Sequence, residues 1–127
     1  MLRRGRRFSQ HFHQREFMSK DGAPMPRGKR DELQRLVTDY LEAGREEFGR
    51  CTVISGHRSA RHNERVGGAP HSFHLHTPLR PGAAADVVFE RGNPAEWAAF
   101  FVRLGAGGVG RYATFVHVDN RREKARW

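Results

Sequence analysis

The chain has 127 residues and a mass of 14.6 kDa, room for one domain with a modest core and none for two domains around a cleft. Twenty-three Lys+Arg against fourteen Asp+Glu give a net charge of +9 and a pI near 11.1, a surface suited to polyanions such as nucleic acid, anionic lipid or anionic wall polymers. No stretch approaches the roughly 18 apolar residues of a membrane span, and one cysteine, Cys51, excludes an internal disulfide and a Cys-rich zinc module.

The chain is expected to be a single domain over 1–127, with residues 1–12 a basic, frayed arm that Phe8, Phe12 and Phe17 could anchor. The polar Ser-Gln-His-Phe-His that follows the basic start is no h-region, so the chain is expected to be unprocessed and cytoplasmic at synthesis. Lys20 to Gly28, with its prolines and glycines, reads as a loop. Leu33, Leu36, Val37, Tyr40 and Leu41 recur at helical spacing and predict an amphipathic helix from Asp31 to Phe48, closed by Gly49. Asp31 is expected to favour its N-terminus and Asp39 to sit on its solvated face.

Cys51 to Ser55 is a short buried-strand candidate. Ser59 is placed to cap a short helix that runs to Val66. Ala84 to Phe89 reads as a central strand, apolar except at Asp86. Asn93 and Pro94 start a helix whose buried stripe is Trp97, Phe100, Phe101 and Leu104. Gly105 to Gly110 reads as a glycine-rich turn, and Phe115 to Asp119 as the last strand. The fold class expected is α+β: a small antiparallel sheet packed against two to three helices.

Three polar features do not fit a core. Asp86 is a carboxylate inside an apolar strand, costly unless paired, hydrogen-bonded or bound to a metal. His117 shares a strand face with Phe115 and Asp119, because side chains alternate, and Val116 and Val118 take the other face. His71, His74 and His76 fall within six residues. Two histidines and an aspartate from separate segments suit catalytic zinc, which keeps its fourth position open. Each residue alone has a plainer reading: a hydrogen-bonded strand histidine, a polar loop, and an Asp86 paired with one of the many arginines.

Seven short motifs occur in order: Ser55-Gly-His-Arg-Ser59, Arg61-His-Asn63, Val66-Gly-Gly-Ala-Pro70, Ser72-Phe-His-Leu75, Gly82-Ala-Ala-Ala-Asp86, Gly108-Val-Gly-Arg-Tyr112 and Phe115-Val-His-Val-Asp119. Over about residues 8 to 127 this pattern, with the closing Arg126-Trp127, resembles the zinc D-alanyl-D-alanine carboxypeptidase family, in particular its small phage and bacterial members. The resemblance implies Zn2+ held by His74, Asp86 and His117 in a cleft on the sheet. It implies that Arg58 lies near the substrate, where a guanidinium fork suits a carboxylate; the alternative is an ion pair with Asp86. Ser72 matches a serine that could support the site, or it could simply bond its own loop. His57 stands where the family usually has an aromatic, beside the substrate-binding Arg58. His74 and Asp86 are twelve positions apart, against seven in the family, and the insertion brings His76, Pro78 and Pro81.

The positions at which better-known relatives carry a catalytic base are Thr114 and Phe115 here. Asp119 is therefore the candidate to take a proton from water at the metal. Two other roles stay open for it: bonding a ligand histidine, and capping the turn into Asn120. The function expected is a zinc metallopeptidase acting on peptidoglycan stem peptides or cross-bridges, of D,D-carboxypeptidase or endopeptidase type, as in a phage lysin. The alternative is a weakly active metal-binding module such as a virion component. No specific nucleic-acid motif accompanies the charge.

Overall fold

The structure is a computed structural model that describes residues 5–77 and 81–127. Five strands, β1 (Cys51–Ser55), β2 (Ala84–Phe89), β3 (Gly108–Arg111), β4 (Val116–Asp119) and β5 (Ala125–Arg126), form one sheet in the order β1-β2-β4-β3-β5. The first four strands pair antiparallel, and β5 lies parallel to β3. The sheet is thus mixed, where an antiparallel one was expected. The helices are α1 (Arg27–Leu36), α2 (Glu42–Phe48), α3 (Ala60–Arg65) and α4 (Pro94–Leu104), and a π turn over Val37–Leu41 joins α1 to α2.

The helix begins at Arg27, inside the expected loop, because Pro26 supplies an extended N-cap residue that leads into it. Asp31 therefore lies past the first turn, where Arg6 pairs with it at 2.9 Å. The apolar stripe behaves as its spacing requires: Leu33, Leu36, Val37 and Leu41 are fully buried. With Trp97 and Phe101 of α4 they cover one face of the sheet, against Val87 and Phe89 of β2, Val116 and Val118 of β4, and Val109 of β3. Phe8, Phe12 and Phe17 join this core and anchor the basic arm, as their apolar character suggests; its first four residues lie outside the described ones. Ser59 caps α3 by accepting from the His62 N–H at 3.1 Å.

Gly108 and Gly110 are strand residues of β3, not part of a turn. A Cβ at Gly108 would collide with the Asp119 carboxylate, and one at Gly110 with the Trp127 indole. Glycine here makes room for side chains that lie across the strand on the face opposite the helices. Among the described residues no helix is long and apolar enough to cross a membrane.

Candidate metal centre

The sheet face away from the helices carries the polar residues. Ser55 pairs with Asp86, Asp86 with His117, and His117 with Gly110, so four strands contribute one row across the sheet. Strand alternation sends Val87 and Val116 into the core and turns Asp86 and His117 toward each other. His74 reaches the same point from the loop before β2. Lys29 of α1, 1% exposed, fastens that loop by donating to the carbonyls of Phe73 at 2.9 Å and Gly82 at 2.6 Å. Ser72 supports it too, accepting the His74 backbone N–H at 3.1 Å. Pro78 of the insertion lies outside the described residues.

The three side chains meet closely and are all buried. Asp86 Oδ1 lies 3.3 Å from His74 Nε2 and 2.9 Å from His117 Nδ1. The outer nitrogens fix the tautomers. His74 Nδ1 lies 2.6 Å from the Gly56 carbonyl, and His117 Nε2 lies 2.7 Å from Asp119 Oδ2. Both partners only accept, so both outer nitrogens donate; the inward nitrogens face the Asp86 carboxylate in the metal-free protein, and once free of protons they would present their lone pairs to a metal. One ligand atom from each of the three residues lies within 4.8 Å of the others, and among the described residues this is the one such group. Tetrahedral zinc with donors at about 2.0 Å needs them about 3.3 Å apart, so the donor set fits in both chemistry and spacing.

The charges of the metal-free cluster are mutually supporting. Burial alone would raise the Asp86 carboxyl, but hydrogen bonds from His117 and His74 outweigh it and hold it well below the usual range. His117 is buried yet raised, because Asp119 and Asp86 both favour its charged form. Burial keeps His74 lowered, against the pull of Asp86.

Asp119 sits where its strand position predicts, on the face of His117, but it is fully buried. It accepts from the Gly108 N–H at 2.8 Å, from the Arg121 N–H at 3.1 Å and from the Arg121 guanidinium at 2.7 Å, as well as from His117. These contacts are those of both other roles named for it: Asp119 bonds the outer nitrogen of His117, and it caps the turn after β4 through the Arg121 N–H. Arg58 is at the rim of the cluster. Its Nη2 is 3.5 Å from Asp86 Oδ2, its Nε donates to Ser55 Oγ at 3.2 Å and its Nη1 to Asn63 Oδ1 at 3.2 Å. His76 is beside Gly28 of α1 and outside the ligand group.

His57 is corrected from a substrate-facing residue to an interior one. It is 4% exposed, its Nδ1 has no hydrogen-bond partner, and burial followed by repulsion from Lys29 pushes its pKa down to about 4. The unfolded chain takes up this proton near pH 6.5 and the fold does not. Stability therefore falls as pH drops from about 6.5 to about 4 and levels off below, a loss on the order of 3 kcal/mol. His57→Phe is expected to remove that part of the acid limb. Urea unfolding of the chelator-treated protein at pH 7.5 and pH 4.5 checks this; equal acid losses in both proteins would rule it out.

Lys29 and Arg121 were not singled out in the sequence, and Trp127 entered only with Arg126 as the close of the family-like pattern. The one available signal was the alternation Gly108-Val-Gly110, small residues every second position of a strand, which marks a face that other side chains cross.

Fold and site together define a protein whose three buried side chains, two from adjacent strands of a mixed sheet and one from the loop before β2, could hold a metal. A family model for peptidase M15 matches residues 10–119. The chain belongs to this family, the zinc D-Ala-D-Ala carboxypeptidases that its motifs resemble, and its cofactor is zinc. No curated protein and no solved structure gives a significant match.

Proposed function

We propose that this zinc metallopeptidase hydrolyses an amide bond in peptidoglycan peptides, as a D,D-carboxypeptidase or endopeptidase. The supporting observation is Arg58, a guanidinium 17% exposed at the side chain and placed directly against Asp86. Of its five N–H donors only some are engaged, so it can take a peptide carboxylate next to the metal ligands. Zinc, when bound, supplies Lewis acidity toward the scissile carbonyl and acidifies water. Asp119 Oδ2 keeps the proton on His117 Nε2 and so keeps Nδ1 free as a donor atom. Asn63 and Ser55 hold the Arg58 fork in place. The +9 charge supports docking on anionic wall polymers, as for a phage lysin.

Hydrolysis by the zinc-loaded protein of a peptide ending in D-Ala-D-Ala, and of purified cell wall, tests the reading. Arg58→Lys is expected to keep zinc and melting temperature while kcat/KM falls about 10–100-fold, the value of a lost charged hydrogen bond of about 1.5–3 kcal/mol. Parallel losses of stability and activity would make Arg58 a structural partner of Asp86. One observation favours a second reading, a metal-binding module without turnover: Thr114 and Phe115 cannot act as a base, and Asp119 is fully engaged. Stoichiometric zinc with no hydrolysis of either substrate would decide for it.

A further inference from the structure

Trp127 is an anomaly for an apolar residue. Its indole is 48% exposed, although both backbone groups of the residue are bonded into β3: its N–H donates to the Val109 carbonyl at 3.0 Å and its carbonyl accepts from the Arg111 N–H at 2.8 Å. The ring is also held in place. Its centroid is 5.0 Å from that of His117, its Nε1 donates to the Tyr112 hydroxyl at 2.8 Å, and the Arg121 guanidinium lies 5.2 Å from its centre. Gly110 is the space beneath it. A large apolar ring fixed in this way and left half in water beside a ligand histidine is set up to meet something else.

Its position says what. The row Ser55, Asp86, His117, Gly110 crosses four adjacent strands in register. Arg58 hangs on the Ser55 end and Trp127 lies over the Gly110 end, with the ligand group between them. Three strand spacings of about 4.8 Å make roughly 14 Å, the length of about four extended residues at about 3.3 Å each. A peptide whose terminal carboxylate sits on Arg58 would cross the ligands and run on toward the indole.

We infer that Trp127 binds the substrate peptide on the acyl side of the scissile bond, stacking on the residues that lie N-terminal to it. This rests on the proposed peptidase reading and adds a specificity to it: the site prefers extended peptides over a dipeptide. An indole face has no charge to match, so the contact takes peptide planes and apolar side chains.

The test compares a pentapeptide ending in D-Ala-D-Ala with the dipeptide D-Ala-D-Ala. For Trp127→Ala, kcat/KM on the pentapeptide is expected to fall at least about tenfold and on the dipeptide less than about twofold, with zinc content unchanged. Trp127→Phe should restore most of the loss. A purely structural role would lower both substrates and zinc content together, and equal losses on the two substrates overturn the proposal. A second readout needs no turnover. Trp97 is buried at 3%, so a change in exposed tryptophan emission reports Trp127. Pentapeptide added to the zinc-loaded protein should shift that emission to the blue, and the dipeptide should not. If neither peptide is hydrolysed, the peptidase reading fails by itself; an emission shift with the pentapeptide then still upholds binding at Trp127, and no shift overturns it.

Discussion

Asp86→Ala is expected to cost the protein its stoichiometric zinc and all measurable hydrolysis. Asp86 is the carboxylate that both inward histidine nitrogens face, at 3.3 Å and 2.9 Å. Without it only two imidazoles remain as donors, and the Arg58 guanidinium beside them has no carboxylate to balance its charge. Alanine at His74 or His117 should likewise lose most bound metal after dialysis. If His74→Ala keeps zinc and His76→Ala loses it, the inserted loop has moved the ligand to His76. The pH dependence has a definite sign. The raised His117 proton sits between Asp86 and Asp119 in the metal-free protein. It stabilises that state fully below pH 6.5, and the contribution is lost as pH rises through the raised pKa. Metal must displace the Nδ1 proton, so zinc affinity should weaken about tenfold per pH unit below that pKa, measured by competition with a chelator. A flat affinity across that range would mean that His117 is not a ligand.

Asp119→Asn is the second large effect, expected to weaken zinc binding about 10–100-fold. The carboxylate faces only donors: His117 Nε2, the Gly108 and Arg121 N–H groups and the Arg121 guanidinium. An asparagine amide would turn its NH2 against one of them in a fully buried place, a further cost of about 1–3 kcal/mol in stability. With the His117 ring no longer held, its Nδ1 lone pair is not presented as a donor. Saturating zinc should restore much of the turnover, because the residue acts through His117. Full zinc affinity with turnover down about 10²–10⁴-fold would instead return Asp119 to the role of general base.

The amino-acid sequence by itself determined the local elements and the poles of the site. Period-two alternation placed His117 and Asp119 on one face with the valines opposite, and an isolated carboxylate in Ala84–Phe89 marked Asp86. Helical spacing defined the stripe from Leu33 to Leu41, and ordered short motifs carried the family. These are readable because they depend on neighbours within a few residues, where backbone geometry alone decides direction.

Only the tertiary structure decided which partner each polar group takes. Asp119 has three admissible roles in the sequence, and that it meets His117 Nε2 and the Gly108 N–H of another strand is visible only in the fold. His57 passed for a substrate residue because nothing nearby in sequence shows that it is buried close to Lys29 and the His74 backbone. The glycines of β3 read as a turn because the side chains they accommodate arrive from elsewhere in the chain, Asp119 from β4 and Trp127 from just past β5. A buried hydrogen bond or a steric vacancy is a property of two chain segments, and their separation in sequence carries no record of it until the sheet order β1-β2-β4-β3-β5 brings them together.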